Sequence, residues 1–295
     1  MVKTVITLVG KPLDSAAEGR AAALTRDSGA VVLGVDVLSP GRALDIFVEG
    51  AAAGMVAQLR EKFRALSGVD VFIQPDDAFR RKRLLLADMD ATVVVQETLD
   101  ELAAHLGLKD KIAPITERAM RGEIDFAEAL EMRVRLLKGL PLAALYETTQ
   151  RIQYSDGAAP LVRAMGRFGA TCVLVSGGFD IFTHQIASTL GFHRHFANRL
   201  EIEGDRLTGR VLPPILDKWA KEKHLLEQAR LLRVDVRQAL AVGDGANDIP
   251  MLQKAGAGVG YFAKPAVLAA TPHHIRHTDL TALLYMQGYR SHEIG

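Results

Sequence analysis

The chain has 295 residues, 48% of them hydrophobic, and a formal net charge of +1 from 36 basic and 35 acidic residues. This length favours two domains, and this hydrophobic content supplies a large core, which excludes a disordered chain. Because the charges balance, there is no electrostatic reason to expect a nucleic acid or an anionic membrane as partner.

The residue pattern predicts neither a targeting signal nor an internal disulfide. Every apolar run is far shorter than the ~18 residues of a membrane span, and the N-terminal apolar stretch ends too early, at GKP, for a signal peptide. We therefore expect a soluble protein of the cytoplasm with no membrane partner. The single cysteine, Cys172, cannot form an internal disulfide, and its apolar neighbours in TCVLV predict an inert core thiol.

The first 80 residues alternate between strand and helix patterns. KTVITLVG reads as a strand, and DSAAEGRAAALTRDSG as a helix that Asp14 or Ser15 caps and Gly29 ends. Two strands flank Pro40-Gly41, and a second helix and the strand VDVFIQP follow. The order βαββαβ is that of ferredoxin-like domains, so we predict such a domain over residues 1–78.

A charged connector, DDAFRRKR, joins this domain to residues 79–295. Its four basic residues, which are consecutive from Arg80 to Arg83, could form a polyanion site. A solvated linker face is favoured instead, because no aromatic residues interleave with the basic ones.

The remainder of the chain, from Leu84, has the pattern of an α/β domain. The buried strand LLLADMD precedes a helical stretch over about 97–151, after which strands alternate with helices. Continuous apolar strands of this kind indicate a parallel sheet covered on both faces. In such a sheet the ligand lies beyond the carboxyl ends of the strands.

Three of these buried strands end in polar residues. LLLA leads into Asp88 and Asp90, and CVLV leads into the SGG segment that begins at Ser176. ALAVG leads into Asp244, in the segment GDGAND. Each segment alone is also compatible with ordinary turn chemistry. Because parallel strands share one carboxyl edge, we expect the four side chains to converge there.

Such a set of residues suits phosphoryl transfer through an aspartyl phosphate. A carboxylate is a weak nucleophile that a phosphate dianion repels, and Mg²⁺, bound by carboxylates and phosphate oxygens, offsets both disadvantages. A serine hydroxyl and backbone N–H groups at a helix start can hold phosphoryl oxygens. A lysine from DKWAKEKH adds positive charge, and a second carboxylic acid can protonate the leaving alcohol.

At these residues the sequence resembles the haloacid-dehalogenase superfamily, over about Leu84 to Tyr289. Four segments stand where its motifs stand, in order: DMDAT, SGGF, DKWAKEKH and GDGAND. The resemblance implies a Rossmann-like parallel sheet with a helical cap insertion, here about 97–155. QETLDELA and MRGEIDFAEALEMRVRLLKGLP further resemble the cap of the phosphoserine phosphatase family.

This resemblance implies a role for each matching position. Asp88 is the nucleophile and Asp90 the general acid/base. Mg²⁺ is held by Asp88, the backbone carbonyl of Asp90 and Asp244, with Asp248 supporting the metal shell. Ser176, Gly177 and Lys221 are expected to hold the phosphoryl group, with Asn247 beside it. The cap is expected to contribute four residues to the substrate pocket: Glu97, Met120, Phe126 and Arg133.

The chemistry of these residues agrees with the substrate that the resemblance implies. Phosphoserine carries an ammonium group, which suits Glu97, and a carboxylate, which suits Arg133. Alternatively, Glu97 only favours a helix start and Arg133 belongs to a solvated helix face. Among the lysines, Lys218 is three residues from Lys221 and could share its face.

Some positions depart from the family pattern. Ala91 and Ala129 stand where serine is common, which affects the fine geometry of the pocket. The N-terminal region resembles an ACT-like module by its element order alone, and GKPLDSAAEG replaces the usual glycine-rich ligand loop. We therefore favour a packing or dimerisation role, in a possible homodimer, over effector binding there.

A histidine-rich segment, TPHHIRHTD, was weighed as a metal site. His273 and His277 could face one way on a helix. Because the segment follows a proline near the C-terminus, we expect surface or loop histidines instead.

The sequence as a whole thus predicts an Mg²⁺-dependent phosphatase. The resemblance implies hydrolysis of O-phospho-L-serine to L-serine and phosphate, the last step of L-serine biosynthesis. One alternative is a related phosphatase or phosphotransferase for another small phosphomonoester. A regulatory amino-acid-binding protein with an inert phosphatase half is disfavoured, because Asp88, Asp90, Lys221 and Asp244 are all present.

Overall fold

The computed structural model describes residues 3–49, 53–63, 66–120 and 123–295, without the side chains of Ala119, Met120 and Lys218. The first six elements are β1 (Lys3–Gly10), α1 (Ser15–Asp27), β2 (Val32–Ser39), β3 (Ala43–Val48), α2 (Ala53–Phe63) and β4 (Val69–Asp76). The four strands form an antiparallel sheet of order β2-β3-β1-β4. The order of the six elements confirms the predicted βαββαβ arrangement. Asp14 caps α1 by accepting a hydrogen bond from the Ala17 backbone N–H at 2.6 Å.

A seven-stranded sheet follows, of order β11-β10-β9-β5-β6-β7-β8. Its adjacent strands are parallel except β7 and β8, which form an antiparallel pair. This sheet confirms the predicted parallel core. Its strands are β5 (Leu84–Asp88), β6 (Thr171–Phe179), β7 (Arg194–Glu203), β8 (Arg206–Leu212), β9 (Ala239–Gly243), β10 (Ala257–Tyr261) and β11 (His273–Ile275).

Helices cover both faces of this sheet, and a group of four stands apart from them. This helical cap, between β5 and β6, consists of α3 (Thr98–His105), α4 (Lys109–Met120), α5 (Phe126–Arg135) and α6 (Leu142–Thr149). The others are α7 (Ala158–Arg167), α8 (Asp180–Leu190), α9 (Lys218–Leu232), α10 (Ile249–Lys254), α11 (Pro265–Ala270), α12 (Ala282–Met286) and α13 (Ser291–Ile294).

The central strands are buried on both faces. Every residue of β5, β9 and β10 is buried, and side chains from opposite faces of β5 belong to two different core clusters, with Leu85 in one and Leu86 in the other. Cys172 lies in this core, where burial raises the pKa of its thiol to about 12, as expected for an inert thiol. The central strand ends are therefore held rigidly.

The charged connector corrects one expectation. Its basic residues are not all solvated, because Arg80 pairs with Asp45 at 2.6 Å and donates to the Met286 carbonyl at 3.2 Å. Lys82 is buried as well and donates to the Arg237 carbonyl at 2.9 Å. Arg80 thus connects β3 to α12, and Lys82 fixes the segment before β5, contacts that sequence periodicity cannot show.

The histidine-rich segment TPHHIRHTD differs from the expectation of surface or loop histidines. His273 is neither on the surface nor in a loop: it lies in β11, buried, with its ring 6.0 Å from that of Phe72. Burial lowers its pKa to about 3, so it is uncharged at neutral pH. His277 is exposed, as expected. Among the helices of the described residues, none is long and apolar enough to span a membrane.

Candidate active site

Asp88 is the last residue of β5 and lies at the carboxyl edge of the seven-stranded sheet, paired with Val175 of β6. Its buried side chain accepts a hydrogen bond from the Met89 backbone N–H at 2.7 Å. Lys221 Nζ lies 2.7 Å from Asp88 Oδ1 and also 2.7 Å from Asp248 Oδ1. The predicted nucleophile is thus fixed on three sides by strand, turn and lysine.

Three buried carboxylates converge at this edge: those of Asp88, Asp244 and Asp248, with one oxygen of each within 4.8 Å of the others. Burial is the main cause that raises the pKa of Asp88 well above its usual range, and the nearby Asp248 adds to it against the effect of Lys221. Burial likewise raises the pKa of Asp244. Three buried carboxylate groups that converge in this way are the oxygen donors that a hard divalent cation prefers.

Lys221 compensates part of that charge. Burial alone lowers its pKa, but Asp248 and Asp88 outweigh burial and raise the pKa above the usual value. Lys221 is therefore a permanent cation in the site. Lys223 is exposed, whereas the side chain of Lys218 lies outside the described part of the chain.

Asp90 lies apart from the three carboxylates. Its Oδ1 accepts a hydrogen bond from the Thr98 backbone N–H at 2.7 Å, and its Oδ2 accepts one from Ser176 Oγ at 3.1 Å. Burial raises its pKa, while the bond from Thr98 opposes this. An acid with a raised pKa beside Ser176, the predicted phosphate-binding serine, is suited to giving and taking a proton.

The turn that directly follows the two acids is strained. Ala91 has φ +50°, in the left-handed region that residues with a Cβ rarely adopt. Its backbone N–H donates to the Gln96 carbonyl at 3.2 Å, which closes the turn. Through this turn Asp90 faces Ser176 while Asp88 faces the carboxylate cluster.

Ser176, Gly177 and Gly178 lie inside β6 rather than after it, because the strand continues to Phe179. The pairing of β6 with β7 is interrupted between Val175 and Phe179, so these residues form an irregular segment within the strand. Ser176 Oγ accepts a hydrogen bond from the Gly178 backbone N–H at 2.8 Å. The predicted phosphate-binding residues thus stand next to Asp90.

The GDGAND segment depends on Gly243. A Cβ at this position would lie 2.3 Å from Asp248 Oδ2, so only glycine lets the Asp248 carboxylate reach Lys221. The Gly245 backbone N–H donates to the same oxygen at 3.1 Å. Asn247 is half-buried, and its Oδ1 lies close above Gly245, at the rim of the cluster.

Two cap residues predicted from the sequence face the site. Phe126 packs over Gly177, where an added Cβ would lie 3.1 Å from Phe126 Cζ. Burial is the main cause that lowers the pKa of Arg133, while Asp100, Glu97 and Asp90 raise it, so this guanidinium faces the acidic side of the site. The side chain of Met120 lies outside the described residues.

Glu97 immediately precedes α3. Burial, followed by the charge of Asp90, raises its pKa to about 7, against the effect of Lys264. Its side chain nevertheless keeps 51% of its surface accessible, so it lies at the mouth of the site, within reach of solvent and of a ligand.

Sequence reasoning missed two residues. Lys264 Nζ lies 3.1 Å from Asp244 Oδ2; its position just after the apolar run AGVGYF, at the same sheet edge, was the available signal. Asn198 is fully buried, donates to the Gly177 carbonyl at 2.8 Å and accepts from the Leu216 backbone N–H at 2.6 Å. It fixes the irregular segment of β6, and no sequence motif marked it.

The fold and the site define an α/β protein with carboxylates at the carboxyl edge of a largely parallel sheet and a helical cap above them. The sequence model of the haloacid dehalogenase-like hydrolases matches residues 85–253. The chain belongs to this family, which confirms the resemblance read from its motifs.

Named relatives refine the comparison. A phosphoserine phosphatase of Archaeoglobus fulgidus is 43% identical, over 79% of this chain and 67% of the relative. One of Saccharomyces cerevisiae is 37% identical, over 86% of this chain and 84% of the relative. The crystal structure of a probable phosphoserine phosphatase from Vibrio cholerae has a TM-score of 0.79 at 29% identity, covering 97% of this chain and 86% of the other.

Proposed function

We propose that the protein hydrolyses O-phospho-L-serine to L-serine and phosphate, the last step of L-serine biosynthesis, in the cytoplasm. The observation that carries the proposal is the separation of two acids at one sheet edge. Asp88 lies against Lys221 and the carboxylate cluster, while Asp90 lies against Ser176 and the start of the cap. One acid is thereby suited to attack and the other to proton transfer.

In the first half-reaction, an Asp88 oxygen attacks phosphorus and the bond from phosphorus to the serine oxygen breaks. Asp90 gives its proton to that oxygen, which leaves as the L-serine hydroxyl. In the second, Asp90 takes a proton from water, the water oxygen bonds to phosphorus, and the phosphate leaves Asp88. Ser176, the Gly177 backbone N–H and Lys221 hold the phosphoryl oxygens, and Asn247 lies beside them.

Mg²⁺ is the cofactor that we propose for the carboxylate cluster. Asp88, Asp244 and the backbone carbonyl of Asp90 would hold it, and Asp248 would support this arrangement through its contacts with Lys221 and Gly245. When bound, Mg²⁺ neutralises phosphate charge and brings the anionic substrate and the carboxylate together. The buried like charges within 4.8 Å support a divalent cation at this place.

The cap selects the substrate in this proposal. Glu97 receives the ammonium group and Arg133 the carboxylate of phosphoserine, and Phe126 and Met120 line the pocket between them. Phe126 already packs over Gly177, so the cap lies close enough to exclude water from the phosphoryl group.

A substrate panel tests this function. Phosphate release from O-phospho-L-serine should exceed that from a simple aryl phosphate and should require added Mg²⁺. Arg133→Ala should remove the preference for phosphoserine while retaining aryl phosphate hydrolysis. A protein that hydrolyses both esters equally would instead be a phosphatase for another small phosphomonoester, and one that releases no phosphate with Mg²⁺ would contradict the proposal.

We further propose a division into an ACT-like domain, residues 1–78, and a phosphatase domain, residues 79–295, with its cap at about 97–155. The ACT-like domain would join two copies through β2, an edge strand of its sheet that carries three exposed apolar side chains, those of Leu33, Val35 and Val37. An antiparallel β2–β2 pair centred on Val35 places Leu33 opposite Val37 and Asp36 opposite Gly34, with no like charges opposed.

Analytical ultracentrifugation tests this homodimer. The wild type should sediment as a dimer and Val35→Lys as a folded monomer, because a central like-charge pair would be introduced into the interface. A monomeric wild type, or a dimer that Val35→Lys leaves intact, would contradict pairing through β2.

A further inference from the structure

A second lysine connects the sheet to the cap at the mouth of the site. Lys264 Nζ lies 3.1 Å from Asp244 Oδ2 and 3.6 Å from Glu97 Oε1. Asp244 belongs to the carboxylate cluster of the sheet, and Glu97 immediately precedes the first cap helix. Lys264 is therefore a cation between the two acids that the proposed function assigns to the metal and to the substrate ammonium group.

The backbone of the loop holds Lys264 in this place. The Lys264 backbone N–H donates to the Asp244 carbonyl at 2.9 Å, and the Phe262 N–H donates to the Ile275 carbonyl, also at 2.9 Å. Phe262 has φ +41°, a strained conformation for an aromatic residue, although its side chain is exposed. Core packing does not account for this strain, and two residues further on Lys264 contacts Asp244, so the strained turn marks a functional loop.

The two distances assign unequal roles to the contacts of Lys264. At 3.1 Å the contact with Asp244 is a charge-assisted hydrogen bond. At 3.6 Å the contact with Glu97 is an ion pair beyond hydrogen-bond length. Glu97 consequently keeps its capacity to accept hydrogen bonds from a ligand, while the positive charge beside it remains.

The charges around Glu97 explain why a nearby cation, Lys264, favours its ionised form. Asp90, Asp244 and Asp100 all act on Glu97 as like charges, and partial burial disfavours its ionised form further. A protonated Glu97 would not attract an ammonium group. Lys264 opposes these effects, because it places its positive charge 3.6 Å from Glu97 Oε1.

We propose that Lys264 is a positioning residue for substrate specificity: tethered to Asp244, it keeps the Glu97 carboxylate at the mouth of the site and ready for the substrate ammonium group. This role rests on the proposed function. Lys264 makes no contact with the reacting atoms in it, so its effect falls on substrate binding and not on the chemical step.

The test compares Lys264→Met with the wild type on two substrates, O-phospho-L-serine and p-nitrophenyl phosphate, which lacks the ammonium group. A half-exposed ion pair is worth under about 1 kcal/mol, so we expect KM for phosphoserine to rise about three- to fivefold. The kcat for phosphoserine and both constants for p-nitrophenyl phosphate should change by less than about 1.5-fold. Lys264→Arg should bring KM for phosphoserine back close to the wild-type value. Lys223→Met, at an exposed lysine, serves as the matched control.

A double-mutant cycle assigns the effect to Glu97. In a Glu97→Gln background, Lys264→Met should change KM for phosphoserine by less than about 1.5-fold, because the carboxylate that it orients is gone. An equal loss for both substrates, or a shift in the Mg²⁺ concentration needed for half activity, would assign Lys264 to the metal site and overturn the proposal. A wild type without preference for phosphoserine would overturn the proposed function instead, before any variant is compared.

Discussion

Asp90 and Thr98 are joined by a hydrogen bond of 2.7 Å, from the Thr98 backbone N–H to Asp90 Oδ1. Thr98 is the first residue of α3 and therefore of the helical cap. The carboxylate that we propose as the acid thus satisfies a backbone N–H at a helix start, where a negative charge is favourable. The orientation of the acid and the placement of the cap depend on the same contact.

Substitutions at Asp90 separate these two functions. Asp90→Asn keeps an acceptor for the Thr98 N–H but cannot transfer a proton, whereas Asp90→Ala loses both. We expect both variants to lose at least about 100-fold in kcat, and only Asp90→Ala to lose about 1 kcal/mol of unfolding free energy. Steady-state kinetics and urea unfolding would measure the two effects. Equal stabilities would show that the contact does not support the cap.

Asp88→Asn should abolish turnover, with a loss of about 10⁴-fold or more in kcat, because an amide oxygen is a poor nucleophile. Rapid-quench kinetics on the wild type should show a burst of L-serine release, and mass spectrometry should place the trapped phosphoryl group on Asp88. Full activity in Asp88→Asn, with a normal unfolding midpoint, would contradict an aspartyl-phosphate mechanism.

Lys221→Met should destabilise the protein in the absence of divalent cations. Removing this buried lysine leaves Asp88 and Asp248 without their 2.7 Å partner, a change that costs about 3–5 kcal/mol. Added Mg²⁺ should recover more of the unfolding midpoint in the variant than in the wild type, since a cation would replace the lost charge. Thermal unfolding in EDTA and in Mg²⁺ measures this. An equal increase of the unfolding midpoint in the variant and the wild type would contradict a metal at the cluster.

Gly243→Ala should lower both stability and activity. The added Cβ would meet Asp248 Oδ2 at 2.3 Å and would displace the carboxylate from Lys221, at a cost of about 1–3 kcal/mol. Gly19→Ala is the matched control, because Gly19 lies inside α1 with open space around it. That variant should gain about 0.5–1 kcal/mol. Chemical denaturation compares the two, and an active, stable Gly243→Ala would contradict the close contact.

Acid should weaken the contact that Asp279 makes with Lys11 and Arg42, which belong to turns of the N-terminal βαββαβ unit. Burial raises the pKa of Asp279, but hydrogen bonds from Lys11, Thr281 and Arg42 outweigh it and lower the pKa to about 2. Since the folded-state pKa lies below the unfolded value, the stabilisation of about 2 kcal/mol is complete above about pH 4 and is lost as pH falls through about 2.

The difference in unfolding free energy between the wild type and Asp279→Asn measures this linkage. It should be about 2 kcal/mol at pH 7 and should shrink between about pH 4 and pH 2. A difference that stays constant over that range would show that the ionised carboxylate is not the stabilising form.

Local patterns were sufficient to predict much of the fold. The continuous apolar runs that end at Asp88 and Asp244 identify strands buried on both faces, because only a covered parallel sheet hides both sides of a strand. The same patterns failed at Lys82 and His273, which are buried, and at Arg80, whose side chain is only 10% exposed. Their burial depends on partners far along the chain, which periodicity does not register.

By itself, the sequence determined the order of the elements, the strand ends that carry the chemistry and the acidic character of the site, because these depend on residues close together in the chain. Only the tertiary structure decided the partners: Lys221 between Asp88 and Asp248, Thr98 on Asp90, and Lys264 between Asp244 and Glu97. These contacts join strands, cap and loops that are distant in sequence. Their geometry follows from how the sheet and the cap pack, and a linear pattern contains no such distances.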